Sequence, residues 1–177
     1  MNLNKNIVLL GMMGSGKSTI GYLLSKSIKL KFLDVDRIIE KKTGLKINSI
    51  FETKGEIYFR DLEEKVFCKL FEGEPHIISS GGGTILSAQS RQLISDRSYS
   101  IWLKSDIEKI LSRINKKNER PLLSIGNPKE ILNQKLIERK MFYSMADFHL
   151  ENSETSIESL SIEIIEKLIR EKVLNYE

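Results

Sequence analysis

IVLLGMMGSGKST, residues 7–19, reads as a strand feeding a phosphate-binding turn and then a helix. Residues 7–10 form a continuous apolar run suited to a strand buried on both faces. Residues 11–18 match G-x-x-x-x-G-K-[ST] at every fixed position, the P-loop pattern. Gly11, Gly14 and Gly16 let the backbone turn its N–H groups inward. There they and the following helix N-terminus can hold polyphosphate oxygens. In that setting Gly14, Ser15, Gly16, Lys17, Ser18 and Thr19 are the candidate nucleotide-binding residues. Lys17 would reach the β- and γ-phosphates as a mobile point charge, and the Ser18 hydroxyl would ligate the magnesium ion that bridges them. The plain alternative is a glycine turn that only caps a helix, but the flanking strand and amphipathic helix are the context the motif requires.

Working outward, Ile20, Leu23, Leu24 and Ile28 recur at helical spacing, giving a helix that ends near Lys29. LKFLDVD follows as a short second strand. Its carboxyl end delivers Asp34 and Asp36 to the edge where open α/β sheets bind ligands. The two carboxylates could merely cap the helix expected to start at Asp36. Beside a P-loop, Asp34 is a plausible magnesium ligand and Asp36 a plausible acceptor for a substrate hydroxyl proton. Gly44 is a helix stop, and Gly55 separates a turn or short helix from a long helix over about residues 56–71. Arg60 lies in that helix beside Phe59, Asp61, Glu63 and Glu64, where an isolated arginine would be a solvated salt-bridge residue.

HIISSGGGT is a third strand running into Gly81, Gly82 and Gly83, which allow either close approach of a ligand to the backbone or a mobile turn. His76, at the start of that strand, is expected at the surface and not as a ligand. A helix through residues 90–94, a strand at 99–103 and a helix over about 105–114 come next. Lys116, Lys117 and Arg120 then cluster in a polar segment that ends at Pro121 and reads as a mobile basic lid, with a plain surface loop as its alternative. Asn127 caps a helix with Pro128 in its first turn and Arg139 toward its end. A fifth strand is expected at 146–150, and Ser156 caps a last amphipathic helix.

A chain of 177 residues suits one core with an appended lid. The net charge of +4 is spread along the chain, so it favours anionic ligands only weakly and does not imply nucleic acid. Cys68 is the single cysteine, which excludes an internal disulfide and suits a reducing compartment. There is no signal-peptide core and no apolar run approaching a membrane span, so a cytoplasmic protein without membrane contact is expected.

The combination of GMMGSGKSTIG, FLDVDRIIE, IFETKGEIYFRDLE, SSGGGT, NERPLL and ERKMFY, in that order and spacing, resembles the shikimate kinase family. The resemblance runs from Ile7 to the last helix. It implies a three-layer α/β/α P-loop kinase fold with a five-stranded parallel sheet, as in nucleoside monophosphate kinases. It implies one domain, with a shikimate-binding region at about residues 34–63 and a mobile lid at about 112–124. The implied activity is transfer of the ATP γ-phosphate to the 3-hydroxyl of shikimate, with Mg2+ as cofactor, by a chain expected to be a monomer.

By the same resemblance Lys17, Asp36 and Arg120 are the catalytic candidates, and Ser18 and Asp34 hold the metal. Arg60 and Arg139 bind the shikimate carboxylate, and Gly81, Gly82 and Gly83 present backbone N–H groups to the substrate. Arg120 reaches the phosphates from the lid, and Arg113 lies over the adenine. Phe51, Phe59 and Glu63 shape the substrate site, and residues 151–155 form the adenine-side loop. Two rivals stand beside this reading: a gluconate kinase-like enzyme, and a regulatory module that binds ATP without turnover. The pairing of Arg60 with Gly81–Gly83 favours shikimate over the first, and retention of both aspartates argues against the second.

Overall fold

The computed structural model describes residues 2–115, 126–152 and 156–175. Chain order is β1 (Asn2–Leu3), β2 (Asn6–Leu10), α1 (Lys17–Ile28), β3 (Phe32–Asp34), α2 (Val35–Thr43), α3 (Ile47–Lys69) and β4 (Ile77–Ser79). A 3-10 turn at Thr84–Leu86 leads to α4 (Ala88–Arg97) and β5 (Ser98–Lys104). Then come α5 (Ile107–Asn115), α6 (Pro128–Tyr143), β6 (Phe148–Glu151), α7 (Ile157–Arg170) and β7 (Leu174–Asn175).

Five strands form one sheet in the order β3-β4-β2-β5-β6, and every neighbouring pair is parallel. β2 is central, paired to β4 on one side and β5 on the other, and all five of its residues are buried. Because side chains alternate across a strand, Ile7 and Leu9 point to one face and Val8 and Leu10 to the other. The core divides accordingly. Ile7 and Leu9 pack with Ile20, Leu24 and Ile28 of α1 and Leu160, Ile164 and Leu168 of α7. Val8 and Leu10 pack with Ile39 of α2, Ile50, Phe59 and Phe67 of α3, and Leu132 and Tyr143 of α6. Helices on both faces of a parallel sheet give the expected three-layer architecture. β1 and β7 add a two-stranded antiparallel ribbon that the sequence pattern did not suggest.

The β2 crossing is the point where the strand order changes direction, and the carboxyl ends of β2, β3 and β4 open on one edge there. Those ends carry the P-loop, Asp34 and the Gly81–Gly83 turn. Local chemistry fixes several boundaries. Gly44 closes α2 with φ 70°, and Gly55 breaks α3 with φ 81° and ψ 171°, a backbone state that suits glycine and separates two helical stretches. Asn127 accepts from the Lys129 N–H at 3.0 Å with Pro128 behind it, and Ser156 accepts from Ser159 N–H at 3.1 Å.

Two expectations need correction. α2 begins at Val35, not Asp36, because the Asp34 side chain is the N-cap, accepting from the Arg37 N–H at 3.2 Å. His76 is not a surface residue: it is 6% exposed, with its Nδ1 bonded to the Glu74 carbonyl at 2.8 Å and its backbone N–H held by Asn6 Oδ1 at 3.0 Å. It immediately precedes β4, at the end away from the P-loop, so its burial reflects packing.

Candidate active site

α1 starts at Lys17, with Gly16 at its N-cap in the left-handed region. Lys17 is buried, and its ammonium donates to the Gly11 and Met12 carbonyls, each at 2.9 Å. The loop thus holds its cation against its own backbone. Ser15 is buried too, its carbonyl accepting from Asn152 Nδ2 at 2.6 Å. Ser18 and Thr19 are exposed on the first turn of α1. Arg113, on α5, donates to the Gly14 carbonyl at 3.2 Å, which places its guanidinium against the rim of the loop.

The Ser18 hydroxyl donates to Asp34 Oδ2 at 2.5 Å. One neutral hydroxyl and one carboxylate, joined at the mouth of the P-loop, are the donor set a magnesium ion needs when phosphates and water complete its octahedron. Among the described residues no cluster of three His, Cys, Asp or Glu could cage a metal without that help. The residues fit Mg2+ held chiefly by substrate.

Across from the P-loop, the Gly81–Gly83 turn is enclosed by charged side chains. A Cβ on Gly81 would lie 1.8 Å from Glu63 Oε1 and 3.3 Å from Asp36 Oδ1; one on Gly83 would lie 2.2 Å from Arg60 Nη1. Only glycine lets these groups approach the backbone so closely. Glu63 is 2% exposed, accepting from Arg60 Nη1 at 2.7 Å and from Thr84 Oγ1 at 2.9 Å. Arg60 also pairs with Glu56 at 3.0 Å. Burial lowers its pKa, but Glu63 and Glu56 outweigh that and hold it above the ordinary arginine value. The Phe51 and Phe59 rings lie 5.9 and 5.2 Å from the same guanidinium, within cation–π range.

Arg139 is 1% exposed on α6 and donates to the Gly82 carbonyl at 3.0 Å. Its Nε has no partner among the described residues. A buried guanidinium with an unused donor can donate to one more anionic or carbonyl oxygen at little cost. The geometry therefore gathers Asp36, Arg60, Glu63, Gly81, Gly82, Gly83 and Arg139 on one side. Gly14, Ser15, Gly16, Lys17, Ser18, Thr19, Asp34 and Arg113 lie on the other. Arg120 and the 116–124 lid segment lie outside the described residues, as do residues 153–155 of the adenine-side loop.

Three contributors escaped the sequence reading. Tyr143 donates to the Gly82 carbonyl at 2.5 Å, and its place one turn after Arg139 on the same helix face was the available signal. Asn152 is 3% exposed and ties Ser15 to β5, its own N–H bonding the Lys104 carbonyl at 2.8 Å; nothing local marks it. Arg91 grips the 3-10 turn through the Ile85 and Leu86 carbonyls at 2.9 and 2.8 Å and stacks 4.3 Å over Phe142.

A P-loop at the central strand, a carboxylate at the next strand end and a facing pocket that holds two arginines define a P-loop small-molecule kinase. Residues 13–169 match the model of the family described as shikimate kinase. The shikimate kinase of Nitrobacter winogradskyi is 39% identical over 94% of this chain and 78% of its own. That of Ruegeria pomeroyi is 39% identical over 96% and 88%. Shikimate kinase from Acinetobacter baumannii, solved in complex with shikimate, superposes with a TM-score of 0.90 at 33% identity, covering 96% of both chains. The chain belongs to the shikimate kinase family.

Proposed function

We infer that this protein is a shikimate kinase, transferring the γ-phosphate of ATP to the 3-hydroxyl of shikimate to give shikimate 3-phosphate and ADP, a step toward chorismate and the aromatic amino acids. Family membership supports the reaction. The observation that carries the acceptor is the approach of two arginines from different helices, Arg60 and Arg139, to one glycine turn. Guanidinium forks suit a planar carboxylate.

The proposed residue roles are these. Lys17 leaves the Gly11 and Met12 carbonyls for the β- and γ-phosphates, and the P-loop N–H groups and α1 N-terminus orient the triphosphate. Ser18 and Asp34 hold Mg2+, which when bound neutralises charge on the phosphate oxygens. Asp36, half-buried beside Gly81, orients the attacking hydroxyl and accepts its proton. Arg60 and Arg139 fix the carboxylate, while Gly81–Gly83 supply backbone donors. Arg113 borders the adenine. Arg120, outside the described residues, is assigned to the phosphates, where it would add charge at the transferring phosphoryl. The chain is read as one domain acting as a cytoplasmic monomer.

A coupled assay of ADP release with shikimate, gluconate, a nucleoside monophosphate or no acceptor tests this. Turnover that depends on shikimate is expected. Equal turnover with gluconate would overturn the acceptor, and ATP binding without turnover would overturn the kinase.

A further inference from the structure

The nucleotide loop is held from behind by side chains that its own motif does not contain. Ser15 is fully buried, and its N–H donates to the Met12 carbonyl at 3.2 Å. Its hydroxyl makes no hydrogen bond among the described residues, so the backbone carries the attachment. The Ser15 carbonyl accepts from Asn152 Nδ2 at 2.6 Å and from Ser105 Oγ at a longer 3.4 Å. Asn152 follows directly on β6, is 3% exposed, and donates its own N–H to the Lys104 carbonyl at 2.8 Å, which extends the pairing of β5 with β6. Its amide is therefore borne on the sheet. A Cβ on Gly16 would lie 3.0 Å from the same Nδ2, so the amide packs closely against the Ser15–Gly16 peptide. In a trans peptide the carbonyl and the following N–H point in opposite directions. A Ser15 oxygen drawn toward the ends of β5 and β6 turns the Gly16 N–H the other way, into the hollow of the loop at the N-terminus of α1, where the helix leaves such donors unused.

We propose that Asn152 is a positioning residue of the phosphate cradle: by donating to the Ser15 carbonyl, its amide presets the Ser15–Gly16 peptide so that the Gly16 N–H meets polyphosphate oxygens without rearrangement. The inference rests on the reading of residues 11–18 as the nucleotide site. A preset donor lowers the ordering cost of binding, so the effect falls on nucleotide affinity and not on the acid pocket across the site. The position calls for a donor, because a carbonyl only accepts. A carboxylate of the same shape would set a second acceptor against that oxygen.

The test compares the wild type with Asn152→Asp, which keeps the shape, and Asn152→Leu, which keeps an apolar side chain of similar length; neither the carboxylate nor the leucine donates. Calorimetry reads the binding of ADP and of inorganic tripolyphosphate, each with Mg2+, and of shikimate. Steady-state kinetics separate the KM for ATP from the KM for shikimate. Both variants should bind ADP and tripolyphosphate about tenfold more weakly, with a matching rise in the ATP KM, from the loss of one buried hydrogen bond. Asn152→Asp should lose the more, since it adds a negative charge beside the cradle. Shikimate affinity should stay at the wild-type value, which also certifies that the variants fold. Unchanged nucleotide affinity in both variants would overturn the proposal. So would equal losses for shikimate and ADP, which mark a loosened sheet, and so would a loss for ADP with tripolyphosphate bound normally, which moves the effect of Asn152 to the base. If the wild type binds neither ADP nor tripolyphosphate, the nucleotide reading itself falls and this inference with it.

Discussion

The Tyr143 hydroxyl donates to the carbonyl oxygen of Gly82 at 2.5 Å, which ties the end of α6 to the middle of the glycine turn. Arg139 donates to the same oxygen, so two side chains one turn apart set the height of that peptide. Tyr143→Phe removes one donor and leaves the ring. Stability should fall by about 0.5–1.5 kcal/mol, and shikimate KM should rise severalfold as the turn loosens. Thermal melting and steady-state kinetics check both. A variant that matches wild type in each would show that Arg139 suffices. Burial above all pushes the Tyr143 pKa up from 10.0 to about 12. The unfolded chain thus loses this proton first, and the stability it confers is complete below pH 10 and lost as pH climbs toward 12. Tyr143→Phe should flatten that alkaline limb.

His76 sets the opposite limb. Burial, with Lys31 adding to it, holds the imidazole pKa below its ordinary 6.5, against the opposing bond to the Glu74 carbonyl. Its Nε2 is buried and makes no close hydrogen bond among the described residues, although the Leu70 backbone also acts to raise the pKa. Below pH 6.5 the unfolded chain binds this proton and the folded chain resists it, so stability falls as pH drops. His76→Phe should shrink the fall in melting temperature between pH 7.5 and pH 5.5, read by circular dichroism. An identical acid shift in the variant would assign it to the carboxylates.

Local signals were enough for the P-loop, the kink at Gly55 and the caps at Asn127 and Ser156, because in each the residue type and its hydrogen bond lie within a few positions. Asp34 shows where that reach ends. Two aspartates on alternate positions could each cap α2, and only the strand register, which carries Asp34 opposite Ser79, decides between them. His76 was misplaced for a related reason: polarity suggested the surface, yet Asn6, 70 residues away, covers its backbone. Asn152, bonded to Ser15 across 137 residues, and the offset of Arg60 by Glu56 and Glu63 emerge only when the elements pack.

The glycine turn offers a graded test of crowding. Alanine at 81 would drive a methyl into Glu63, whose carboxylate is buried and bound to both Thr84 and Arg60. Alanine at 83 would meet Arg60, whose side chain is 24% exposed and can swing outward. Gly81→Ala should therefore destabilise the fold by about 1–3 kcal/mol as well as abolish shikimate binding. Gly83→Ala should destabilise the fold less, while raising shikimate KM. Reversal of that order in denaturant titrations would mean that Glu63, not Arg60, is the side chain with room to move.

Arg60 and Arg139 should separate in the same way, because one balances buried charge and the other fills buried space. Arg60→Ala leaves the Glu63 carboxylate, 2% exposed, with Thr84 as its remaining partner among the bonds described. Arg60→Ala, Glu63→Gln should then regain stability over Arg60→Ala while shikimate affinity stays low, since only the carboxylate's burial has been relieved. Arg139→Ala empties a fully buried site beside Tyr143, so it should lose stability that no charge change restores. Each single variant should raise shikimate KM by roughly one to two orders of magnitude, from about 1.5–3 kcal/mol per charge-assisted bond at about 1.4 kcal/mol per decade. ATP affinity should change little, and lysine at either position should rescue only in part because the fork is lost. Shikimate KM at the wild-type value in both alanine variants would remove the carboxylate clamp. Failure of Glu63→Gln to recover stability would mean that Thr84 and the backbone already carry the Glu63 charge without Arg60.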